Sequence, residues 1–441
     1  MVKVLLWLFM SQEVPAPQVE EPPKASSAPW LDPVHGTLTL RYRYRATSGE
    51  SDTDLYEFLS LSYGDPAKDA ITAALSARFA EDLDGNQSVR GYYPFTSIDD
   101  SYRSFATQRL YTAYLEARPA DTGLSLRAGR QTLDEFPEAV LMDGGLVRYQ
   151  MGSHVQFSMF GGVPVNLFES SPQGDSMYGA SVEWLPDPTL PGRYRVEYLH
   201  IRDENLFGLH EDNLLGISMD EGEGPFRFHA RYTMLEGQSR DLVARLTATV
   251  PDAEFLVDLE GTYVFHRIES LSYALDPFAS FMMALEPYMD FVARASKGFG
   301  ETFSVDASFT SRTLVGNGVE TTYNHDFKRV EVTPRLRKWP VEEISIGFTA
   351  DYWNSNPTHF WTLGGDLSWD LRPNIMLSIG SSYALYSIDS FTGEEHDRVR
   401  LYTTSLRWKV AKGSSFDIRF TLEENAISSF RIFEFGFRHA F

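Results

Sequence analysis

The sequence contains no cysteine among its 441 residues. Disulfide bonds, thiolate metal sites, a cysteine nucleophile and haem attached covalently through a C-x-x-C-H motif are therefore excluded. Basic residues are also few: the chain has 39 lysines and arginines but 61 aspartates and glutamates, so its formal net charge is −22. This charge disfavours nucleic-acid binding, since such proteins need a basic face to displace phosphate counterions.

Long apolar runs are missing as well. Hydrophobic residues make up 43% of the chain, yet no run approaches the roughly 20 residues that a membrane-spanning helix needs. The motifs G-x-S-x-G and H-E-x-x-H are absent and the ten histidines are scattered, so the sequence predicts no enzyme. A soluble protein and a membrane β-barrel remain as alternatives.

The first 36 residues differ in composition from the rest. Residues 1–10 (MVKVLLWLFM) carry one positive charge at Lys3 and then an unbroken apolar stretch, which resembles a short export signal. Residues 11–36 are rich in proline, glutamate, alanine and serine, a composition that cannot bury a core. The sequence therefore predicts a signal-like segment followed by an extended periplasmic lead.

Residues 37–441 are dominated by alternation of apolar and polar side chains. The segment 37–45 reads TLTLRYRYR, with leucine and tyrosine on one face and threonine and arginine on the other. Comparable segments recur about 22 times, each long enough to cross a bilayer as a tilted strand of about 9–11 residues. The sequence predicts an all-β protein, a single transmembrane antiparallel β-barrel of about 22 strands. Merging the weak segments near 146–150 and 214–219 into their neighbours would give 20 strands, and the predicted range is 18–22.

The connections and the tryptophans agree with a barrel. Short connections alternate with long ones at 81–103, 132–141, 162–176, 202–212, 266–287, 314–325 and 387–397, as expected for periplasmic turns and external loops. We expect 81–103 and 266–287, the longest, to constrict the lumen. Tryptophans at predicted strand ends are expected in the aromatic belts of the membrane interface; they are Trp184, Trp353, Trp361, Trp369 and Trp408.

Two segments resemble known outer-membrane proteins. The last strand ends at Phe441 and places Phe433, Phe435 and Phe437 at alternating positions. It resembles the C-terminal signature of Gram-negative outer-membrane proteins, which implies recognition by the barrel-assembly machinery. The stretch LRAGRQ (126–131) followed by MDGG (142–145) resembles the LxxGRQ…DG stretch of large porins, including the alginate-export-like group. This second resemblance implies a porin-like barrel.

The polar face is predicted to line a wet lumen, because buried charges are tolerated only where water or a partner reaches them. Two arrangements of its charges stay open: a basic wall that faces an acidic one, or neighbouring strands whose charges pair. The predicted lumen-lining residues are Arg41, Arg43, Arg45, Arg127, Arg193, Arg195, Arg227, His229, Arg231, Arg245, Asp258, Glu260, Asp290 and Arg294.

The sequence predicts a porin-like channel in the outer membrane, with a periplasmic N-terminus, for passive diffusion of small polar or charged solutes through an arginine-rich lumen of mixed charge. The alternative is a barrel sheath around a periplasmic multihaem cytochrome in an electron conduit. Expected partners are outer-membrane lipid, lipopolysaccharide and the barrel-assembly machinery, with a homotrimer or the cytochrome as open alternatives. The acidic residues 81–84 are interpreted as a solvated turn, so neither a metal nor a cofactor is predicted.

Overall fold

The chain folds into one closed antiparallel sheet of 22 strands in a computed structural model. The structure describes residues 34–47, 51–84, 106–133, 137–165, 174–186, 192–205, 208–266, 286–316, 326–355, 358–388, 395–424 and 429–441. Each strand pairs with its neighbours in sequence, and the last strand pairs with the first. The prediction of a barrel of about 22 strands is confirmed.

The strands have the following bounds. They are β1 (Val34–Ala46), β2 (Ser51–Tyr63), β3 (Ile71–Asp82), β4 (Ala106–Ala117), β5 (Leu124–Leu133), β6 (Val140–Met151), β7 (Val155–Pro164), β8 (Ser176–Trp184), β9 (Gly192–Asn205), β10 (Gly208–Glu223), β11 (Phe226–Leu235), β12 (Gln238–Val250), β13 (Phe255–Val264), β14 (Tyr288–Phe299), β15 (Phe303–Leu314), β16 (Phe327–Leu336), β17 (Ile344–Ser355), β18 (Thr358–Arg372), β19 (Ile375–Ile388), β20 (Glu395–Ala411), β21 (Ser414–Glu424) and β22 (Ser429–Ala440). Within the described ranges, no helix is long and apolar enough to span a membrane.

Alternation separates two faces of the sheet. On β6, Val147, Tyr149 and Met151 are exposed, whereas Leu146 is 1% exposed. We call the face of Val147, Tyr149 and Met151 the outer face and the opposite one the inner face. Directly opposed residues of antiparallel strands project to the same face, so the pairing register assigns a face to each residue in the strands.

Two expectations about boundaries change. The predicted external loop at 202–212 is wrong, because β9 continues to Asn205 and β10 starts at Gly208. The sequence of these strand ends is polar (RDENLFGLHED), so it carries no apolar–polar alternation from which strands could be predicted. The weak segments near 146–150 and 214–219 lie inside complete strands, β6 and β10. The first strand begins at Val34, three residues before the predicted start of the barrel.

β1 begins and β22 ends at the same end of the barrel, and the turns at this end are short. There, Gly36 and Phe441 exchange backbone hydrogen bonds of 2.9 and 3.0 Å. Two neighbouring turns at this end are joined by the ion pair of Lys338 Nζ with Glu301 Oε2 at 2.6 Å. This hydrogen bond lowers the pKa of Glu301 and raises the pKa of Lys338. Both side chains are well exposed, so the pair contributes little stability.

The contact between β4 and β5 is the shortest ladder among the described strands. It has five residue pairs, from Ala113 opposite Arg130 to Ala117 opposite Leu126. Gly129 has a φ of +124°, and a Cβ there would lie 2.2 Å from the carbonyl oxygen of Ala113. The ladder therefore depends on glycine at position 129.

We expect Gly129→Ala to destabilise the barrel by at least about 1–3 kcal/mol, the usual cost of a strained backbone conformation. The free energy of unfolding in urea, measured in lipid vesicles, tests this. Gly145→Ala is the matched control, because the nearest atom to its Cβ would be 3.9 Å away; its expected effect is within about 0.5 kcal/mol. Equal effects of the two changes would contradict the prediction.

Candidate functional site

Charged side chains form continuous rows across the inner face. One row crosses five strands through directly opposed residues, from Arg193 to Asp220, His229, Arg245 and Glu260. A parallel row contains Arg195, Arg231, Asp290 and Arg312, with Ser218, Val243 and Thr262 between them. The register thus brings residues from distant parts of the sequence onto one wall, and it places all the predicted lumen-lining residues on the inner face.

Four buried carboxylates on this face each bind two arginines: Glu116, Glu183, Asp258 and Asp54. Glu116 is 2% exposed, and its Oε2 accepts hydrogen bonds from Arg127 Nε (3.0 Å) and Nη2 (2.7 Å). Its Oε1 lies 2.7 Å from Arg118 Nη2 and also accepts from Ser125 Oγ at 2.6 Å. The carboxylate is the only acid in this group, so the cluster keeps one net positive charge.

The same arrangement recurs on β8–β9 and on β12–β14. Glu183 binds Arg195 and lies 3.4 Å from Arg193 Nε. Asp258 binds Arg245 Nε at 2.7 Å and Arg294 Nη1 at 2.9 Å, and its Oδ1 accepts from Thr247. The side chains of Arg193 and Arg245 are 53% and 51% exposed on the inner face.

Asp54 on β2 is the fourth of these carboxylates: its Oδ2 lies 2.7 Å from Arg43 Nη2 and 3.4 Å from Arg45 Nη2 of β1. Arg45 also binds Asp52. Arg312 Nη2 lies 2.6 Å from Asp290 Oδ2. Of the two charge arrangements left open by the sequence, cross-strand pairing describes these residues.

Arg227 and Arg231 differ from these paired arginines. Both lie on β11 and face inward, opposite Thr247 and Val243 of β12. Among the described residues, neither has an acidic side chain within ion-pair distance. Arg41 on β1 also faces inward, opposite Tyr56. Arg41, too, forms no ion pair with a described acid, so these three side chains add positive charge to the inner face.

Pro137 and Glu138, just before β6, lie against the inner wall of the barrel, which the sequence did not predict. Pro137 is buried, and its Cγ would lie 3.0 Å from a Cβ at Gly216 of β10. Glu138 Oε2 accepts a hydrogen bond from Arg240 Nη2 of β12 at 2.7 Å, and Arg240 also binds Asp241. Residues 102 positions apart therefore meet across the inner face.

An apolar cluster lies on the inner wall along β5–β10. Its members are at most 6% exposed, although they stand on the face that is otherwise charged. They are Leu133, Val140, Met142, Leu146, Phe160, Met177, Leu199, Ile201 and Leu214. Apolar residues at inward positions near strand ends are the one signal in the sequence that indicates a covering segment.

The expected constriction loops lie almost entirely outside the described residues, at 85–105 and 267–285.

Four of the five predicted interface tryptophans are on the outer face and 40–51% exposed: Trp184, Trp361, Trp369 and Trp408. Trp353 differs, because it lies opposite Arg329 on the inner face and is 6% exposed. It stacks between Phe327 and Phe360 at centroid distances of 4.6 and 5.6 Å. A position near a strand end fixes the height of a residue but not its face, and the face decides what the indole contacts.

The C-terminal phenylalanines follow the expected alternation. Phe433, Phe435 and Phe437 lie opposite Phe420, Ile418 and Phe416 on the outer face, and Phe441 is 54% exposed. Their role as an assembly signal stays a prediction.

The acidic residues at the ends of β2 and β3 already have partners in the chain. Carboxylate oxygens of Asp52, Asp82 and Asp84 lie within 4.8 Å of one another. Asp52 binds Arg45, and Asp84 Oδ1 accepts a hydrogen bond from the backbone of Thr53 at 3.0 Å. These contacts organise the turn, and we assign no metal to it.

No family model and no curated protein matches the chain. Its structure is similar to the translocation pore of the P pilus usher PapC, with a TM-score of 0.55 and 7% identity over 92% of this chain and 99% of that pore. The fold is that of a large outer-membrane-type β-barrel. OccAB3 of Acinetobacter baumannii (TM-score 0.44, 9% identity, 92% and 99% coverage) and OccK2 of Pseudomonas aeruginosa (0.45, 10%, 93% and 98%) also align. At these identities, the similarity concerns the fold alone.

Proposed function

We propose that this chain forms a water-filled channel in the outer membrane for passive diffusion of small polar or charged solutes. The observation that carries the proposal is the division of a closed barrel into an exposed apolar outer face and a charged inner face. A barrel of this strand number is too wide for side chains to fill its interior. Charged groups at the wall of such a space need water.

Orientation follows from the two ends of the barrel. Both chain ends of the sheet, at Gly36 and Phe441, lie at the end with the shorter turns. Short turns face the periplasm in outer-membrane barrels, so we place the N-terminus there. The β5–β6 connection then enters the lumen from the extracellular side, where it narrows the path beside β10 and β12.

Conductance of the purified protein in planar lipid bilayers tests the proposal. We expect stepwise ion currents from the protein alone in potassium chloride. A folded barrel that gives no current would contradict the proposal. Current that appears only with a co-purifying haem protein would favour the sheath instead.

Arg227 and Arg231 lie on the inner face of β11 without an ion pair to a described acid, so we expect them to favour anions at this point of the channel. Replacing both Arg227 and Arg231 with glutamate converts an uncompensated positive segment of β11 into a negative one. We expect the reversal potential in a potassium chloride gradient to shift from anion towards cation selectivity. The control is the double variant Lys68→Glu and Lys338→Glu, which makes the same charge change in the turns outside the lumen; equal shifts in both variants would contradict the prediction.

A further inference from the structure

One ion pair lies on the outer face of the barrel. Arg130 on β5 stands directly opposite Asp143 on β6. Arg130 Nε and Nη2 donate to the two carboxylate oxygens of Asp143 at 2.8 and 2.6 Å. Both residues share the face of Leu126 and Val147, which are 42% and 43% exposed. The Asp143 side chain is 49% exposed, so half of this carboxylate faces away from the protein.

The pair lies at the depth of the hydrocarbon, not of the head groups. Asp143 is six residues above Tyr149, an exposed tyrosine near the turn end of the same strand. Six residues of a strand tilted by about 40° rise roughly 15 Å, and the apolar band of such barrels is about 25 Å tall. A half-exposed carboxylate at this depth is unfavourable in lipid, because acyl chains offer no hydrogen-bond donors.

The surface below the pair is concave and apolar. A groove of about 380 Å³ runs over β4–β6, lined on the outer face by Leu115, Leu126, Ala128, Gly145 and Val147. A Cβ at Gly145 would meet nothing closer than 3.9 Å, so packing within the chain does not require glycine there. The charge pair and the groove together mark a face that another surface covers.

We propose that a second copy of this chain docks on the β4–β6 outer face about a two-fold axis along the membrane normal. The argument is charge complementarity. Such an axis reverses the direction from Arg130 to Asp143 across the interface, so the arginine of each copy faces the aspartate of the other. Each Asp143 then receives donors that lipid does not supply. The inference needs only a membrane-spanning barrel and is independent of what the lumen transports.

Cross-linking through one cysteine tests the dimer, since the chain has no cysteine of its own. Gly145→Cys lies close to the proposed axis, and Leu363→Cys, 60% exposed on the outer face of β18, is the control. In proteoliposomes treated with copper phenanthroline, we expect Gly145→Cys to migrate at twice the 50.0 kDa of the chain. Leu363→Cys should stay monomeric. If a lipid fills the groove instead, Gly145→Cys stays monomeric, and this result overturns the proposal.

Charge variants separate an interface from an internal ion pair. In the Gly145→Cys background, Arg130→Asp and Asp143→Arg each place like charges across the axis, so each alone should lose the cross-linked dimer. Expressed together with different tags, the two variants should cross-link with each other, although neither regains its own ion pair. Dimers of each variant alone at the original yield would overturn the proposal. If the variants fail to fold, the Gly145→Cys result in the unaltered background decides.

Discussion

Replacing Glu116 with alanine is expected to lower the free energy of unfolding by about 2–3 kcal/mol. The change removes the shared acceptor of Arg118 and Arg127, and both guanidinium groups lose their carboxylate partner, although Arg118 Nη1 still donates to the carbonyl oxygen of Pro66. Breaking a fully buried pair costs about 3–5 kcal/mol. We take a lower value because the arginine side chains are 30% and 15% exposed, so water in the lumen partly solvates them.

Urea unfolding in lipid vesicles measures this change, with Asp417→Ala as the control. Asp417 Oδ2 lies 3.8 Å from Arg407 Nε, and the two side chains are 40% and 56% exposed. Such a loose, solvated pair contributes about 0–1 kcal/mol. If both variants lose the same small amount of stability, the inner ion pairs are solvated and do not stabilise the barrel wall.

Alternation makes the sheet predictable because a side chain's face follows from its parity. The arginines and tyrosines of residues 37–45 show which face of that strand is apolar. The neighbouring strands follow the same alternation, because the apolar residues of a sheet share one face and the polar residues the other. The rule fails where the sequence is polar at both parities, as in the extension of β9 to Asn205. It also fails for Trp353, whose aromatic character suggested the membrane although its parity places it with Arg329.

The motif from the porin-like stretch illustrates what sequence alone leaves open. LRAGRQ and MDGG stand 10 residues apart in the chain, and the register sets Arg130 opposite Asp143 and Gly129 opposite Gly144. Alternation from the predicted inward Arg127 puts Arg130 on the outer face, but nothing in the sequence indicates that Asp143 stands opposite it. The contact of Glu138 with Arg240 could not be predicted either, because nothing in the sequence around Glu138 indicates a partner on β12. That partner lies 102 residues away.

Replacing Glu138 with alanine is expected to release the β5–β6 connection from the inner wall. The variant loses the hydrogen bond from Arg240 Nη2, which is 2.7 Å long and joins a 7% exposed arginine to a carboxylate. A hydrogen bond between charged groups is worth about 1.5–3 kcal/mol, which corresponds to a roughly 10- to 150-fold change in the ratio of seated to released connection. Single-channel recording should show a larger open current and more frequent switching between levels.

Glu211→Ala is the control for this change. Glu211 also lies near the extracellular end of the barrel, but its side chain is 57% exposed and stands 3.9 Å from His200 Nε2, so its loss should leave the current unchanged. The current of Glu138→Gln should lie between those of Glu138→Ala and Glu211→Ala. The glutamine amide oxygen still accepts a hydrogen bond from Arg240, but it carries no negative charge. Currents of Glu138→Ala equal to those of the unaltered protein would show that the connection holds its place without this contact and that its packing against Gly216 suffices.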